Sequence, residues 1–224
     1  MIKNILRKIA ILLIPSYRKR MAFAKVQQEQ RLKDKVRIRS DKELQEQGQG
    51  LSELRDVLNI INIPYFISGG TLLGTIREKD FIRWDWDVGL DFKLEDVYSK
   101  RNELLLRLKE KGFEILNKNF DKTNFKINAL KYNVRYEMLG YIKVGDMRYR
   151  KSSHHPDSFV ESSSFVELRG EKYTTFADPL KYLEWFYGDW TTPRQTAKIS
   201  AYVTTSSRTS YFSNTVVKFM SIFK

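Results

Sequence analysis

The chain has 224 residues and no cysteine, and its 40 Lys and Arg against 27 Asp and Glu give a formal charge of +13 at neutral pH. This length suits one folded domain with additional segments, and the missing cysteines exclude a disulfide framework, a thiolate zinc site and a cysteine nucleophile. A reducing cytoplasm is therefore the expected compartment. The positive charge favours anionic partners such as lipid headgroups, nucleotides or nucleic acids.

Residues 1–24 combine apolar residues at helical spacing with scattered basic residues. The uninterrupted apolar run, residues 9–14, is far shorter than the ~20 residues that a transmembrane helix needs. It ends at Pro15, and a basic cluster at residues 18–20 follows, which is not typical of a signal peptide. We predict a basic amphipathic helix that lies on an anionic membrane surface, with an ordinary docking helix as the alternative.

Three further segments follow from composition. Residues 25–50 are rich in Gln, Glu, Lys and Arg and lack a wide apolar face, which predicts a solvated helix or a linker that ends at Gly48-Gln49-Gly50. Residues 51–61 carry apolar side chains at helical spacing, so we place the catalytic domain at residues 51–194. Residues 195–224 form a Ser/Thr-rich tail with an apolar end, a second candidate surface anchor.

The most informative stretch is residues 65–92. A short apolar run leads into Ser68-Gly69-Gly70, and apolar residues at helical spacing follow as far as Arg77, which predicts a strand, a glycine turn and a helix. Such a junction directs backbone N–H groups and the positive end of a helix dipole to one spot, and glycine lets a phosphate approach the main chain. An ordinary turn is the alternative.

An acidic pair follows the predicted helix. A second apolar run begins at Phe81 and contains Asp85 and Asp87; if it is a strand, both carboxylates lie on one face. Neighbouring carboxylates repel each other unless a divalent cation lies between them, and hard oxygen ligands suit Mg²⁺ or Mn²⁺. With the glycine turn, the pair describes a nucleotide or phosphodiester site. Solvated loop acids are the alternative.

The rest of the domain alternates between helical and strand patterns. Adjacent histidines, His154 and His155, point to opposite sides of an extended chain, so they form a poor bidentate metal site. One of them serves as a base or phosphate ligand, or both lie in a polar loop. The predicted elements are a helix over residues 94–112, a meander with strands 125–130, 134–138 and 147–150, a hairpin over 165–176, and a helix over 180–187.

These blocks resemble the signature of the LicD-type phosphotransferases, the family of bacterial phosphocholine transferases and fukutin-related enzymes. A downstream match, residues 187–193, resembles the closing Tyr-Gly-Asp-Trp-x-Thr-Pro block of the family. Family members often carry an acid where Trp86 and Gly89 stand, so the number of metals and the third carboxylate stay open. The first block matches at Gly69, Gly70, Thr71, Leu72, Leu73, Gly74, Arg77, Phe81, Ile82, Trp84, Asp85 and Asp87.

The resemblance implies an α/β (α+β) fold with a nucleotidyltransferase-like core, in which helices flank a mixed sheet. It implies a transferase that moves a phospho-substituted group, such as phosphocholine or a related phospho-alcohol, from a nucleotide-activated donor of the CDP-alcohol type. The implied acceptor is a sugar hydroxyl of a cell-surface glycan or glycolipid, as in lipopolysaccharide, capsule or teichoic acid modification.

The same resemblance assigns residues to roles. Asp85 and Asp87 are the implied catalytic residues and ligands of Mg²⁺ or Mn²⁺. Glu137 alternates away from its apolar neighbours in a predicted strand, so it either faces this metal as a further ligand or is an exposed strand acid. The implied substrate-binding residues are Ser68, Gly69, Gly70, Thr71, Arg77 and Trp84.

Two other functions stay open at this point. A metal-dependent glycosyltransferase also uses Asp-x-Asp for its sugar nucleotide, although it would have a longer nucleotide-binding domain ahead of the acids. A basic membrane- or nucleic-acid-binding protein without catalysis is supported by charge alone. We expect a peripheral protein on the cytoplasmic face of the membrane, where a water-soluble donor and a lipid-linked acceptor meet, rather than a nucleic-acid partner.

Overall fold

A computed structural model of the protein describes residues 38–85, 87–150 and 153–194. The predicted surface helix at residues 1–24, residues 25–37 of the polar segment and the tail at 195–224 lie outside this part of the chain. The helices are α1 (Asp41–Ile60), α2 (Gly69–Arg77), α3 (Leu94–Tyr98), α4 (Arg101–Glu110), α5 (Ser158–Glu161) and α6 (Pro179–Tyr187). The strands are β1 (Phe66–Ser68), β2 (Asp87–Lys93), β3 (Glu114–Asp121), β4 (Asn124–Lys131), β5 (Val134–Val144), β6 (Met147–Arg150), β7 (Ser153–Pro156), β8 (Ser163–Leu168) and β9 (Glu171–Phe176).

Seven of these strands form one mixed sheet. Its central order is β1-β2-β5-β4-β3, with β6 paired to β5 and β7 paired to β6. Strands β2 and β5 run parallel, and the other described pairs are antiparallel. The β8–β9 hairpin packs beside β1, where the Thr175 hydroxyl donates to the carbonyl of Ile67 at 3.1 Å. The predicted α/β fold with a mixed sheet and flanking helices is confirmed.

The two faces of the central sheet differ in character because side chains alternate along each strand. One face is apolar and is covered by α1 and α3: the Tyr136 hydroxyl donates to the carbonyl of Gln47 at 3.0 Å, and Gly140 lies against Leu94. The opposite face carries the polar side chains of the same strands. The central apolar side chains are Val88, Leu90, Phe92, Phe125, Ile127, Ala129, Tyr136 and Met138, all at most 2% exposed.

Helix α1 corrects the predicted break at Gly48-Gln49-Gly50. It begins at a capping box, in which Ser40 and Glu43 bond each other's backbone N–H, and continues without interruption to Ile60. The boundary placed at residue 51 therefore falls inside a helix. The physical reason is tertiary: Gly50 is buried against Tyr136, so this glycine serves close packing rather than helix termination.

Two other elements differ from the prediction. Residues 94–112 form two helices rather than one, and between them the Lys100 ammonium donates to the carbonyls of Ile61 and Asn62 at 2.9 and 2.8 Å. Strand β3 has no predicted counterpart, because its mostly exposed side chains lack an apolar alternation. Within residues 38–85, 87–150 and 153–194, none of the helices has the length and apolar character needed to cross a bilayer.

Two glycines of α1 give a matched test of this packing. A Cβ on Gly50 would lie 2.0 Å from the hydroxyl oxygen of the fully buried Tyr136, so we expect Gly50→Ala to lower the free energy of unfolding by about 1–3 kcal/mol. A Cβ on Gly48 would meet the flexible Arg169 side chain at 3.2 Å and Phe81 at an ordinary 3.7 Å, so Gly48→Ala should be neutral or stabilising by up to ~1 kcal/mol. Urea unfolding measures both, and equal effects would contradict the assignment.

Candidate functional site

The turn between β1 and α2 brings the main chain against an acidic side chain. Ser68 ends β1 and occupies the N-cap position of α2, and Gly69 has a φ angle of 57°, a conformation that favours glycine. A Cβ atom on Gly70 would lie 1.7 Å from Oδ2 of Asp85. Glycine at this position therefore lets the Asp85 carboxylate lie directly against the first turn of α2.

Asp85 lies in a loop rather than on the following strand. Its N–H donates to the carbonyl of Ile82 at 3.0 Å, and its carbonyl accepts a hydrogen bond from Nε of Arg39 at 2.9 Å. These contacts hold the chain in a turn, and β2 begins only at Asp87. The prediction that one strand carries both carboxylates on one face is therefore wrong. Trp86, between the two acids, lies outside the described residues.

Asp87 is the first residue of β2 and lies on the polar face of the sheet. It forms an ion pair with Arg135, its partner in the parallel β2–β5 ladder. Two residues further along β5, Glu137 stands opposite Gly89 and forms an ion pair with Lys126 of β4. Asp87 and Glu137 thus each have a basic partner on this face.

Glu137 is a half-buried acid whose negative charge is balanced by basic neighbours, rather than an exposed strand acid. Its side chain is 22% exposed. Burial opposes its ionisation, but the charges of Arg135 and Lys126 outweigh this effect and lower the pKa of Glu137. It is therefore a carboxylate at neutral pH, the form that a metal ligand requires.

The acidic residues are of the chemical type that binds a magnesium ion together with a substrate. In the described part of the chain, no three His, Cys, Asp or Glu side chains lie close enough together to hold a metal ion by themselves. Mg²⁺ is commonly bound through one or two carboxylates together with substrate phosphates and water. Asp85 and Asp87 are hard oxygen donors of this kind, and Asp85 touches the turn that is predicted to hold phosphate.

Two more of the predicted substrate-binding residues lie close to this turn. The Thr71 hydroxyl accepts a hydrogen bond from the N–H of Gly89 at 2.9 Å, which fixes α2 to β2. Trp84 precedes Asp85 and packs, partly buried, against the hydrophobic core. The structure therefore brings together the glycine turn, Thr71 and the loop of Asp85.

Arg77 lies elsewhere. It is the last residue of α2, ~12 Å from Gly69 along the helix axis at 1.5 Å per residue. Its Nη1 donates to the carbonyl of Trp190 at 3.0 Å, and its Nε pairs with Glu78 at 2.8 Å. The described contacts of Arg77 thus join α2 to the closing Tyr-Gly-Asp-Trp block, and the structure does not bring its guanidinium group to the turn.

Asp91 is a buried acid of this face that sequence reasoning missed. It is 3% exposed, and burial raises its pKa to about 7, although hydrogen bonds from Ser68 and Tyr182 and the charge of Arg150 oppose this shift. The signal that would have found it is its spacing. Asp91 follows Asp87 by four residues in one strand, and the period of two places both on the same face.

The histidines are structural in their described contacts. They lie on strand β7, so the predicted polar loop is wrong, because both residues pair with β6. His154 stacks on Tyr149 and packs against Trp185. His155 is buried in an aromatic cluster, and burial lowers its pKa to about 4, so it is neutral at physiological pH. Their opposite orientations agree with the prediction for adjacent residues of an extended chain.

The buried acid predicts an unusual pH dependence of stability. As pH rises from 4 to 8, folding must ionise Asp91 in a buried site, whereas the unfolded chain ionises it near its ordinary pKa, so the folded state loses stability. The free energy of unfolding of Asp91→Asn minus that of the wild type should therefore rise by about 1–4 kcal/mol over this range. Urea unfolding at each pH measures it, with the exposed Asp146→Asn as control. A difference that is constant with pH would contradict the prediction.

Comparison with protein families gives a match over the part of the chain that contains this site. The family model described as LicD/FKTN/FKRP, nucleotidyltransferase domain, matches residues 62–195, which is more than half of the chain. The matched region contains the glycine turn, both acids, the polar face of the sheet and the closing Tyr-Gly-Asp-Trp block. The family match thus agrees with the resemblance carried by the sequence motifs.

Individual relatives align over shorter stretches. The ribitol 5-phosphate transferases FKRP of Mus musculus and Homo sapiens are each 49% identical to this chain over 41 residues, which is 18% of this chain and 8% of either relative. The uncharacterized protein T07A5.1 of Caenorhabditis elegans is 38% identical over 71 residues, 32% of this chain and 18% of that protein. The chain thus aligns with less than a fifth of the length of each of these relatives. Among solved structures, ANT(2")-Ia in complex with adenylyl-2"-tobramycin has a TM-score of 0.42 and 15% identity, covering 58% of this chain and 68% of that chain.

Proposed function

Since this chain belongs to the LicD/FKTN/FKRP family, we propose that it is a metal-dependent transferase of a phospho-substituted group. The group is a phosphocholine or a related phospho-alcohol, the donor is a nucleotide-activated compound of the CDP-alcohol type, and the acceptor is a sugar hydroxyl of a cell-surface glycan or glycolipid. The similarity to FKRP, a ribitol 5-phosphate transferase, supports the phospho-alcohol class.

The observation that carries this proposal is the contact between Gly70 and Asp85. The first turn of α2 offers backbone N–H groups and the positive end of a helix dipole, which suit a phosphate. The Asp85 carboxylate lies against this same turn, and Asp87 follows it at the start of β2. An anion-binding turn in contact with a metal-binding acid is the arrangement that a diphosphate and its cation require.

The residues of the chain then have distinct tasks. Asp85 and Asp87 would hold Mg²⁺, which when bound neutralises the diphosphate and stabilises charge on the leaving phosphate. The Ser68-Gly69-Gly70 turn orients the donor through its main chain. The ion pair with Arg135 holds the Asp87 side chain on the polar face, so the fold fixes its position before the donor binds.

The metal assignment gives the first functional prediction. Asp85→Asn and Asp87→Asn should each lower turnover at least ~100-fold while the cooperative unfolding transition is kept, because an amide is a poor ligand of Mg²⁺. EDTA should abolish the activity of the wild type. The matched control is Asp56→Asn on the exposed side of α1, which should keep full activity. Full turnover in EDTA would refute metal dependence.

Donor identity is tested in the same assay. Radiolabelled CDP-alcohol, UDP-sugar and RNA are offered in parallel to the wild type and to Asp85→Asn. We expect saturable, Asp85-dependent binding of the CDP-alcohol. Preference for the UDP-sugar would favour a glycosyltransferase instead, and preference for RNA, independent of Asp85, would favour a binding protein without catalysis.

The turn has its own test. Gly70→Ala would place a methyl group where Oδ2 of Asp85 now lies, so the carboxylate must move. We expect at least a ~10-fold loss of kcat/KM, because misplacing a catalytic group by about 1 Å is costly. The control is Gly48→Ala, a glycine of α1 that is distant from Asp85 in sequence and faces only Arg169 and Phe81. Unchanged activity in Gly70→Ala would make this turn purely structural.

The proposed place of action is the surface of an anionic membrane. The basic amphipathic pattern of residues 1–24 supports reversible binding to an anionic, cytoplasmic membrane surface, at about 1 kcal/mol per basic residue. The full-length protein should sediment with anionic vesicles at low salt and be released at high salt, and deletion of residues 1–24 should weaken sedimentation while sparing turnover on a soluble acceptor. A full-length protein that ignores such vesicles at low salt would refute this location.

A further inference from the structure

Ser68 is of the residue type that most often caps a helix, yet its side chain does not cap α2. Its backbone angles, φ −142° and ψ 179°, are those of an N-cap residue, but its side chain makes no cap hydrogen bond. Helix α1 provides the contrast, because Ser40 there accepts a hydrogen bond from the N–H of Glu43. Rotation about χ1 is the change that would bring the Ser68 hydroxyl into the same position on α2.

The Ser68 hydroxyl is held elsewhere by Asp91. It lies within hydrogen-bonding reach of the Asp91 carboxyl group, and the two residues are 4% and 3% exposed. Tyr182 of α6 completes the arrangement: its hydroxyl donates to Oδ2 of Asp91 at 3.4 Å and lies within hydrogen-bonding reach of the backbone of Gly69. Asp91 is thus the centre of a buried polar network that includes Ser68 and, through Tyr182, Gly69.

We propose that Asp91 is a positioning residue for the phosphate donor. It holds the Ser68 hydroxyl away from the first turn of α2, so that the N–H groups of Gly70 and Thr71 are not capped by the side chain of their own N-cap residue. A serine that capped this helix would compete with a phosphate for the same N–H groups. This inference rests on the proposed function, because it assumes that the donor phosphates bind at this turn.

The network also explains why the chain retains a carboxyl group in a buried position. An acid that is 3% exposed costs stability unless hydrogen bonds compensate it. Helix α2 also lacks the stabilisation that an N-cap hydrogen bond from Ser68 would provide. The result is a first turn of α2 whose N–H groups receive no hydrogen bond from the Ser68 side chain. A purely structural role would be better served by an apolar residue at position 91 and a capping Ser68.

The decisive experiment is a double-mutant cycle. Asp91→Leu removes the acceptor and keeps the branching of the side chain, so Ser68 can cap α2, and the Kd for CDP with Mg²⁺ should rise about fivefold, the factor that corresponds to one N-cap hydrogen bond. In a Ser68→Ala background no hydroxyl remains to compete, and Asp91→Leu should change the Kd less than about twofold. Asp91→Asn keeps an acceptor oxygen for Ser68 and should rescue the affinity. Amide hydrogen exchange at Gly70 and Thr71 should slow in Asp91→Leu but not in Asp91→Asn.

Should Asp91→Leu fail to fold, Tyr182→Phe tests the same network. It removes one hydrogen bond from Asp91 and keeps the ring that stacks on Phe176, and it should raise the Kd about two- to threefold. Tyr136→Phe is the matched control, since that buried hydroxyl bonds the Gln47 carbonyl on the apolar face. It should lower stability without changing the Kd.

The outcomes distinguish the proposed donor from the role of Asp91. If the unmodified protein binds no CDP with Mg²⁺, the proposed donor and this inference both fail. If it binds CDP, but Asp91→Leu leaves the Kd unchanged or raises it equally in both backgrounds, the proposed function stands and the role of Asp91 is refuted. Equal effects of Tyr182→Phe and Tyr136→Phe on the Kd would refute it as well.

Discussion

The approach of the Asp85 carboxylate to the main chain at Gly70 is the constraint on which the rest of the site depends. No side chain fits between them, because a Cβ on Gly70 would overlap the carboxylate. This contact fixes the loop before β2 relative to the first turn of α2, and the bond between Thr71 and the N–H of Gly89 fixes the next step of the same junction. The N-terminal end of a helix and an acid therefore share one location, as the proposed binding of a diphosphate with its cation requires.

The polar face of the sheet shows how a folded domain accommodates several acids at close quarters. Asp87 is paired with Arg135 and Glu137 with Lys126, so these two carboxylates are neutralised across strands rather than by sequence neighbours. Asp91 differs, because its compensation comes mainly from hydrogen bonds, and burial raises its pKa. The pKa of Glu137 is lowered and that of Asp91 is raised, although both lie on one face, because their neighbours and burial differ.

Helix α6 and the closing Tyr-Gly-Asp-Trp block hold α2 at both of its ends. The Tyr182 hydroxyl lies within hydrogen-bonding reach of the backbone of Gly69 at the start of α2, and the Trp190 carbonyl accepts a hydrogen bond from Arg77 at its end. Two segments that are more than a hundred residues apart in the chain thus act as one structural unit. In this chain the second motif block therefore supports the helix that begins at the glycine turn.

The sequence by itself determined the strand–turn–helix at Gly69 and Gly70, the alternating strands of the meander and the β8–β9 hairpin, because these follow from residues within a few positions of one another. Only the tertiary structure decided the rest. Strand β2 starts at Asp87 because Arg39, 46 residues away, bonds the carbonyl of Asp85, and α1 continues through Gly50 because Tyr136 packs there. The burial of Asp91 likewise depends on strands and a helix that meet only in the folded chain. Contacts between residues distant in sequence leave no local pattern, so register and packing, rather than propensity, set where each acid lies and how it ionises.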